Sequence, residues 1–386
     1  MQGTKRQHTL GIWGLTLGYF LFYVPYSGLS KAVTSGLLTG GHPIPGPELL
    51  PAAGISTAAT VLLFITAAGW WKYGRKCQVF GVNVIFPRRQ TLISGIGFAT
   101  IILTTTLAYS FSGVSIVLAL VLMRAGVLIM SPLIDWIFCR HVRWFSWAGL
   151  TLSLAALAIS FSNINEYKLT FGALLNLAAY LSGHALRIPS MTQIAKTGEA
   201  EVARAYFVEE QTVAMTALVG VPTVLAGLGG SELAHQLGSG FAQSFNSFIG
   251  VAGFMIGFFY AGLGICLSFI YLDRRENTFC MPLFACSSLF SGIVASYILS
   301  WWLQAPAPSG TQIEAAFLII TALLIMSPLH HVPLYIRQLQ AAIREKRVVL
   351  VRILYNGQED MREVVQTPPS SLITIDIREV RNVFRK

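Results

Sequence analysis

Arg124 is the residue whose type and position most demand a chemical explanation. It lies ten residues into Val114–Cys139, VSIVLALVLMRAGVLIMSPLIDWIFC, a run apolar and long enough to cross a bilayer. At about 1.5 Å of rise per residue the guanidinium sits roughly 15 Å deep, near mid-membrane. A cation there costs at least ~2.5 kcal/mol on insertion scales and normally faces a bundle interior or a watery cavity. Two roles stand open. It can be a strut, donating to carbonyls or to one carboxylate, or it can bind the phosphate or carboxylate of an anionic substrate through its fork.

Asp135, eleven residues on, returns to nearly the same helical face. It and the adjacent Glu209 and Glu210 are the candidate charge partners of Arg124. Glu209 and Glu210 stand near a helix start, where the helix dipole favours an acid; turned inward, one of them would suit proton coupling. Lys31 and Arg187 end two other apolar runs, placed either to snorkel or to meet substrate at opposite mouths. Tyr19, Tyr23 and Tyr26 recur at one-turn spacing, as a packing ridge or as the hydrogen-bonding wall of a cavity, with Tyr23 the candidate substrate contact. His184, one turn before Arg187, reads as a satisfied residue at the inner end of its run rather than a proton carrier.

These residues need helices to hold them. Apolar residues make up 54% of the 386 positions and charged residues 11%, far below the roughly 25% of a soluble domain. Ten runs are long enough to span: Leu10–Leu29, Pro51–Trp71, Thr91–Tyr109, Val114–Cys139, Trp144–Phe161, Leu169–Leu186, Ala203–Leu228, Phe248–Tyr271, Phe279–Trp302 and Ala315–Tyr335. The connections between them read as short, apart from a glycine- and serine-containing stretch at Gly229–Ser247 and a central loop at Ile188–Glu201. The first run follows Lys5 and Arg6 as a signal peptide would. It has no small-residue cleavage site and continues through Tyr23, Pro25 and Tyr26, so it reads as a span. Five prolines, Pro25, Pro132, Pro222, Pro282 and Pro328, fall inside spans as candidate hinges, and Gly250, Gly253, Gly257, Gly262 and Gly264 make one span thin enough for close packing.

The net charge of +10 is a topology signal, since the basic residues sit between spans instead of clustering with aromatics as in a nucleic-acid surface. All 27 lysines and arginines except Lys31, Arg124 and Lys168 fall at the N-terminus, after the second, fourth, sixth and eighth spans, or after the tenth. The positive-inside rule puts those segments, and both termini, in the cytoplasm. The expected fold is all-α, with ten transmembrane helices as two inverted five-helix repeats, residues 1–165 and 166–336, and a basic cytoplasmic tail at 337–386. Helix 1 slid by 156 positions onto helix 6 sets Lys31 opposite Arg187 and Ser27 opposite Gly183. In the tail, Ile336–Arg347 reads as a basic amphipathic helix, and the alternation after it leaves a two- or three-stranded appendage and a flexible tail both open.

Over Leu10 to Tyr335 the chain resembles the drug/metabolite transporter superfamily. The resemblance is carried by ten spans with both ends inside and by LVLMRAGVLIMSPLIDWIFCRHVRWFSWAGLTLSLAALAIS, a long helix, a short basic turn, a glycine and a light aliphatic helix. CMPLFACSSLFSGIVASYILSW with TQIEAAFLIITALLIMS looks like a second copy, and YSGLSKAVTSG is similar to the family's first helix. The basic turn CRHVRW stands where members of that family often carry an acid. The resemblance implies a non-enzymatic secondary transporter without metal or cofactor. It would move a small, anionic organic metabolite across a bacterial inner membrane, coupled to a proton or an exchanged metabolite, with a homodimer left open. Two other classes compete. A polytopic enzyme acting on a lipid-linked substrate needs a cluster of acids or histidines at one face, which the scattered Glu48, Glu166, Glu232, Glu314, His42 and His235 do not make. A membrane scaffold or sensor would signal through the tail.

Overall fold

The computed structural model describes residues 11–79, 82–109, 116–142, 144–161, 171–194, 199–245, 247–273 and 277–305. It also describes single helical positions between 310 and 325 and strands at 349–355, 358–363 and 373–376. Ten helices follow in order: α1 Ile12–Thr34, α2 Gly46–Ala67, α3 Arg89–Ala108, α4 Ile116–Ile137, α5 Trp144–Phe161, α6 Phe171–Ile194, α7 Ala200–Leu228, α8 Glu232–Gln243, α9 Phe248–Leu272 and α10 Asn277–Leu303. Nine of them match the first nine apolar runs. The tenth run, Ala315–Tyr335, lies mostly outside the described residues, as does the amphipathic segment 336–347.

Among the described residues five helices, α2, α3, α7, α9 and α10, are long and apolar enough to cross a membrane. The surface agrees with a lipid setting. Leu63, Val224, Val251 and Trp301 are exposed, while Ser27, Asp135, His184, Arg187, Glu209, Glu210 and Gln211 are buried. Large apolar side chains on the surface together with buried polar and charged groups in the interior fit a lipid surround. In its larger unit the chain is a predominantly helical integral membrane protein.

α8 was not expected. The stretch after α7 reads as a loop because its glycines interrupt the apolar pattern. It nevertheless forms a capped helix in which Ser231 Oγ accepts from the Ala234 amide at 3.1 Å, and a Cβ on Gly240 would lie 2.5 Å from the Glu48 carbonyl. Gly229, at φ +63°, makes the turn out of α7. The central loop is also shorter than expected, since α6 runs through Pro189 to Ile194. A hairpin, β1 Lys76–Val79 with β2 Val82–Ile85, fills the connection after α2.

Helix ends sort into two sets. At one end, Asp135 at the close of α4 bonds the start of α10, Asn277 Nδ2 donates to Thr192 Oγ1 late in α6 at 3.0 Å, and Gln90 early in α3 bonds Gln193 in α6 at 3.1 Å. Glu209 early in α7 bonds the hairpin and the start of α3 there. At the other end, Thr34 Oγ1 closing α1 donates to the Tyr109 carbonyl closing α3 at 3.0 Å. The described basic residues Lys72, Arg75, Lys76, Arg88, Arg89 and Arg140, in or beside the connections, therefore flank the first set of ends.

The packing pairs include α1 with α9 and α10, α2 with α7 and α9, α3 with α6 and α7, and α4 with α6 and α10, while α8 packs on α2 and α7, and α5 on α10. Close crossings need glycine. A Cβ on Gly257 would lie 2.2 Å from the Ala53 carbonyl of α2, and Gly97 and Gly183 each face the other's carbonyl, at 2.6 and 2.7 Å. Residues 327–386 form a separate unit, with a sheet ordered β4 (Gln358–Glu363), β3 (Val349–Tyr355), β5 (Ile373–Asp376), β3 antiparallel to β4 and parallel to β5.

Candidate functional site

Arg124 is 2% exposed and projects from α4 into a ring of hydroxyls and aromatic faces. Its Nε donates to Ser288 Oγ of α10 at 2.9 Å, Nη2 to the Tyr23 hydroxyl of α1 at 3.1 Å, and Nη1 to the Tyr180 hydroxyl of α6. The Phe284 ring of α10 lies under the guanidinium, 4.2 Å from its carbon to the ring centroid. A desolvated cation–π contact of this kind contributes about 2 kcal/mol. No carboxylate bonds Arg124 among the described residues.

The expected partners are engaged elsewhere. Asp135 shares a face with Arg124, but eleven residues separate them by about 16 Å along the axis. Its carboxylate accepts from the amides of Asn277 and Thr278 at 3.0 and 2.6 Å, from Asn277 Nδ2 at 2.8 Å and from Thr278 Oγ1 at 2.7 Å, with Arg140 Nε 3.7 Å away. It caps α10, where the free amides and the helix dipole favour an anion. Glu210 meets Arg187 instead, Nε to Oε1 and Nη2 to Oε2, both at 2.9 Å, and accepts from Ser94 Oγ at 2.5 Å. Tyr206 extends the chain by donating to Ser94 at 2.6 Å.

Consecutive residues on a helix point about 100° apart, so Glu209 serves a different place. It accepts from the Arg75 and Arg88 amides at 3.4 and 3.1 Å and from Thr91 Oγ1 at 2.8 Å, tying the hairpin base and the start of α3 to α7. Arg187 is not at a mouth. It is fully buried, 3.7 Å over the Phe98 ring, and also donates to Ser268 at 2.8 Å. Lys31 is half-buried in the last turn of α1, eight residues or about 12 Å beyond Tyr23. The tyrosine stripe is both wall and ridge. Tyr23 bonds Tyr109 at 2.8 Å as well as Arg124, Tyr26 bonds Thr106 at 3.3 Å, and Tyr19 packs on Phe284 with ring centroids 5.4 Å apart.

The two arginine clusters adjoin through His184. Its ring lies 4.6 Å from Tyr180, 6.2 Å from Tyr271 and 6.4 Å from Phe284, centroid to centroid. The Arg187 guanidinium in turn lies 5.5 Å from the Tyr271 ring. His184 was expected to be satisfied, yet neither ring nitrogen has a hydrogen-bond partner among the described residues. Tyr180, Phe284, Ser288 and Tyr271 were missed by sequence reading. Tyr180, His184 and Arg187 fall at i, i+4 and i+7, a one-face stripe that could have found Tyr180. Nothing comparable singles out Phe284 in an aromatic-rich helix.

No family model and no curated protein matches the chain. A solved structure described only as "Crystal structure of protein" is similar over 82% of this chain and 96% of its own length, at 15% identity and a TM-score of 0.49. A likeness at that level assigns neither family nor function. Within the protein itself, the defined class is a predominantly helical membrane protein with an interior arginine, tyrosine and histidine centre.

Proposed function

We propose that the chain is a secondary transporter of the drug/metabolite transporter type, moving a small, anionic organic metabolite across a bacterial inner membrane by alternating access. The observation that carries this reading is Arg124: a buried guanidinium bonded to neutral hydroxyls, at the meeting of α1, α4, α6 and α10, with no carboxylate on it among the described residues. A full charge away from water without a counter-ion is costly, and a transported carboxylate or phosphate relieves that cost while bound.

The packing supports two inverted five-helix repeats, α1–α5 and α6, α7, α9, α10 with the run 315–335. Exchanging α1 with α6, α2 with α7, α3 with α9 and α4 with α10 turns the α1–α9 contact into α6–α3, α2–α9 into α7–α3 and α1–α10 into α6–α4. The α2–α7 and α4–α10 contacts map onto themselves, and every one of these pairs is packed. An odd number of spans per repeat makes equivalent helices run oppositely. The gathering of basic connections at one end supports cytoplasmic termini. Arg124 then sits where α1 and α10 cross the other half, the usual place for a substrate in such plans.

The test is uptake. Purified protein in proteoliposomes is screened against radiolabelled organic acids and phosphate esters, and accumulation of at least one, lost in Arg124→Ala, supports the reading. Protein that is folded and correctly inserted but moves none of them contradicts it.

A further inference from the structure

Five buried polar atoms without a hydrogen-bond partner among the described residues gather beside the Arg124 cluster: Arg187 Nη1, both nitrogens of His184, the Tyr271 hydroxyl and Gln211 Oε1. All four side chains are at most 1% exposed. Each unmatched buried group costs about 1–3 kcal/mol, so several in one place point to a missing occupant. The clustering follows from shared neighbours. Ser268 Oγ accepts from Arg187 Nη2 at 2.8 Å and from Gln211 Nε2 at 3.3 Å, and Tyr271 approaches both His184 and Arg187.

The orientation of Gln211 is determined by that serine. Ser268 Oγ spends its one proton on the Gly264 carbonyl at 2.9 Å, so it can only accept from Gln211. The amide nitrogen must face Ser268, which leaves Oε1 as a free acceptor. Arg187 Nη1 only donates, and the Tyr271 hydroxyl and the His184 ring do either. Charge points the same way, because Glu210 already neutralises Arg187, whereas Arg124 has no carboxylate on it among the described residues.

Resting on the transport reading above, we infer that Arg187, His184, Tyr271 and Gln211 form a second, uncharged subsite that binds a hydroxyl or carboxamide of the substrate while Arg124 holds its single negative charge. A group that both donates and accepts satisfies Gln211 Oε1 and Arg187 Nη1 together. A second carboxylate would leave Gln211 unmatched and place a negative charge beside Glu210. The substrate class is thus a monoanion carrying a neutral polar group, with the Phe284 face between the two ends. Dicarboxylates are disfavoured.

The probes are butyrate, hexanoate, 4-hydroxybutyrate and 6-hydroxyhexanoate, titrated against purified protein while Tm is followed. At one chain length at least, the hydroxylated acid binds wild type about tenfold more tightly than its parent, the worth of a well-made buried hydrogen bond. Tyr271→Phe with Gln211→Leu erases that difference and keeps the parent's shift. Tyr271→Phe alone leaves the ligand-free Tm equal to or above wild type, since no bond is lost. No hydroxyl advantage at either length, an advantage surviving in the double variant, a lowered ligand-free Tm in Tyr271→Phe, or no shift by any acid overturns the subsite. Arg124→Ala keeps the two readings apart. If it abolishes the parent acids' shift, the anion site stands whether or not the subsite does; if the shift survives it, the anion site falls.

Discussion

Arg187 and Glu210 close a two-pronged ion pair inside the bundle, 2.9 Å at each prong, with neither side chain exposed. The pair joins α6 to α7 and removes Glu210 from the reach of Arg124. Its geometry supplies the good hydrogen bonding that a buried pair needs to offset desolvation. Removing one partner strands the other. Arg187→Met or Glu210→Leu should each destabilise by about 3–5 kcal/mol, and the double variant should recover much of that loss. Unfolding in mixed micelles measures it; two additive single losses would contradict a coupled pair.

Asp135 offers a separate test, because it holds two backbone amides of α10 as well as two side chains. Asp135→Ala should cost about 1–3 kcal/mol and fray the first turn of α10. Hydrogen exchange at the Asn277 and Thr278 amides should accelerate, while Asp135→Asn, which keeps an acceptor oxygen, stays closer to wild type.

Glu209 ties Arg75, Arg88 and Thr91 to α7. Glu209→Ala should loosen the hairpin base without touching the Arg124 cluster. Limited trypsin digestion should then cut faster after Arg75, Lys76 and Arg88, with substrate affinity unchanged. Unaltered cleavage would mean that the strap does not hold the hairpin.

Two glycines should behave oppositely. A Cβ at Gly257 meets the Ala53 carbonyl at 2.2 Å, whereas one at Gly220 meets nothing within 4 Å among the described residues. Gly257→Ala should destabilise by about 1–3 kcal/mol through forced separation of α2 and α9. Gly220→Ala, in the middle of α7, should be neutral or stabilising by up to about 1 kcal/mol. Thermal unfolding of both variants decides this.

Orientation is tested by a single cysteine at Ser309, beyond α10, and another at Glu199, before α7. On intact cells the first should react with a membrane-impermeant maleimide and the second should not. The reverse pattern would invert the topology.

Much of the fold was legible because it depends on hydrophobic length and charge placement, both additive along the chain. The runs behind α2, α3, α9 and α10 needed no tertiary information. α8 and the passage of α6 through Pro189 were not legible, since each depends on neighbours that lie far off in sequence. At the site, the depth of Arg124 could be counted but its partners could not. Asp135 has the right angular position and the wrong height, and adjacency of Glu209 and Glu210 concealed that a 100° turn sends them to different helices. Phe284 and Ser288 became significant only when α10 was laid against α4.

The central claim is that Arg124 receives the anionic group of a transported molecule. The direct measurement is initial-rate uptake into proteoliposomes, for the best organic acid or phosphate ester found, by wild type, Arg124→Lys and Arg124→Ala. Lysine keeps the charge but loses the fork, so its KM should rise about tenfold or more with protein still inserted and folded, and alanine should abolish uptake. Uptake by Arg124→Ala with a KM like that of wild type would contradict the account and leave Arg124 a structural strut between α1, α4, α6 and α10.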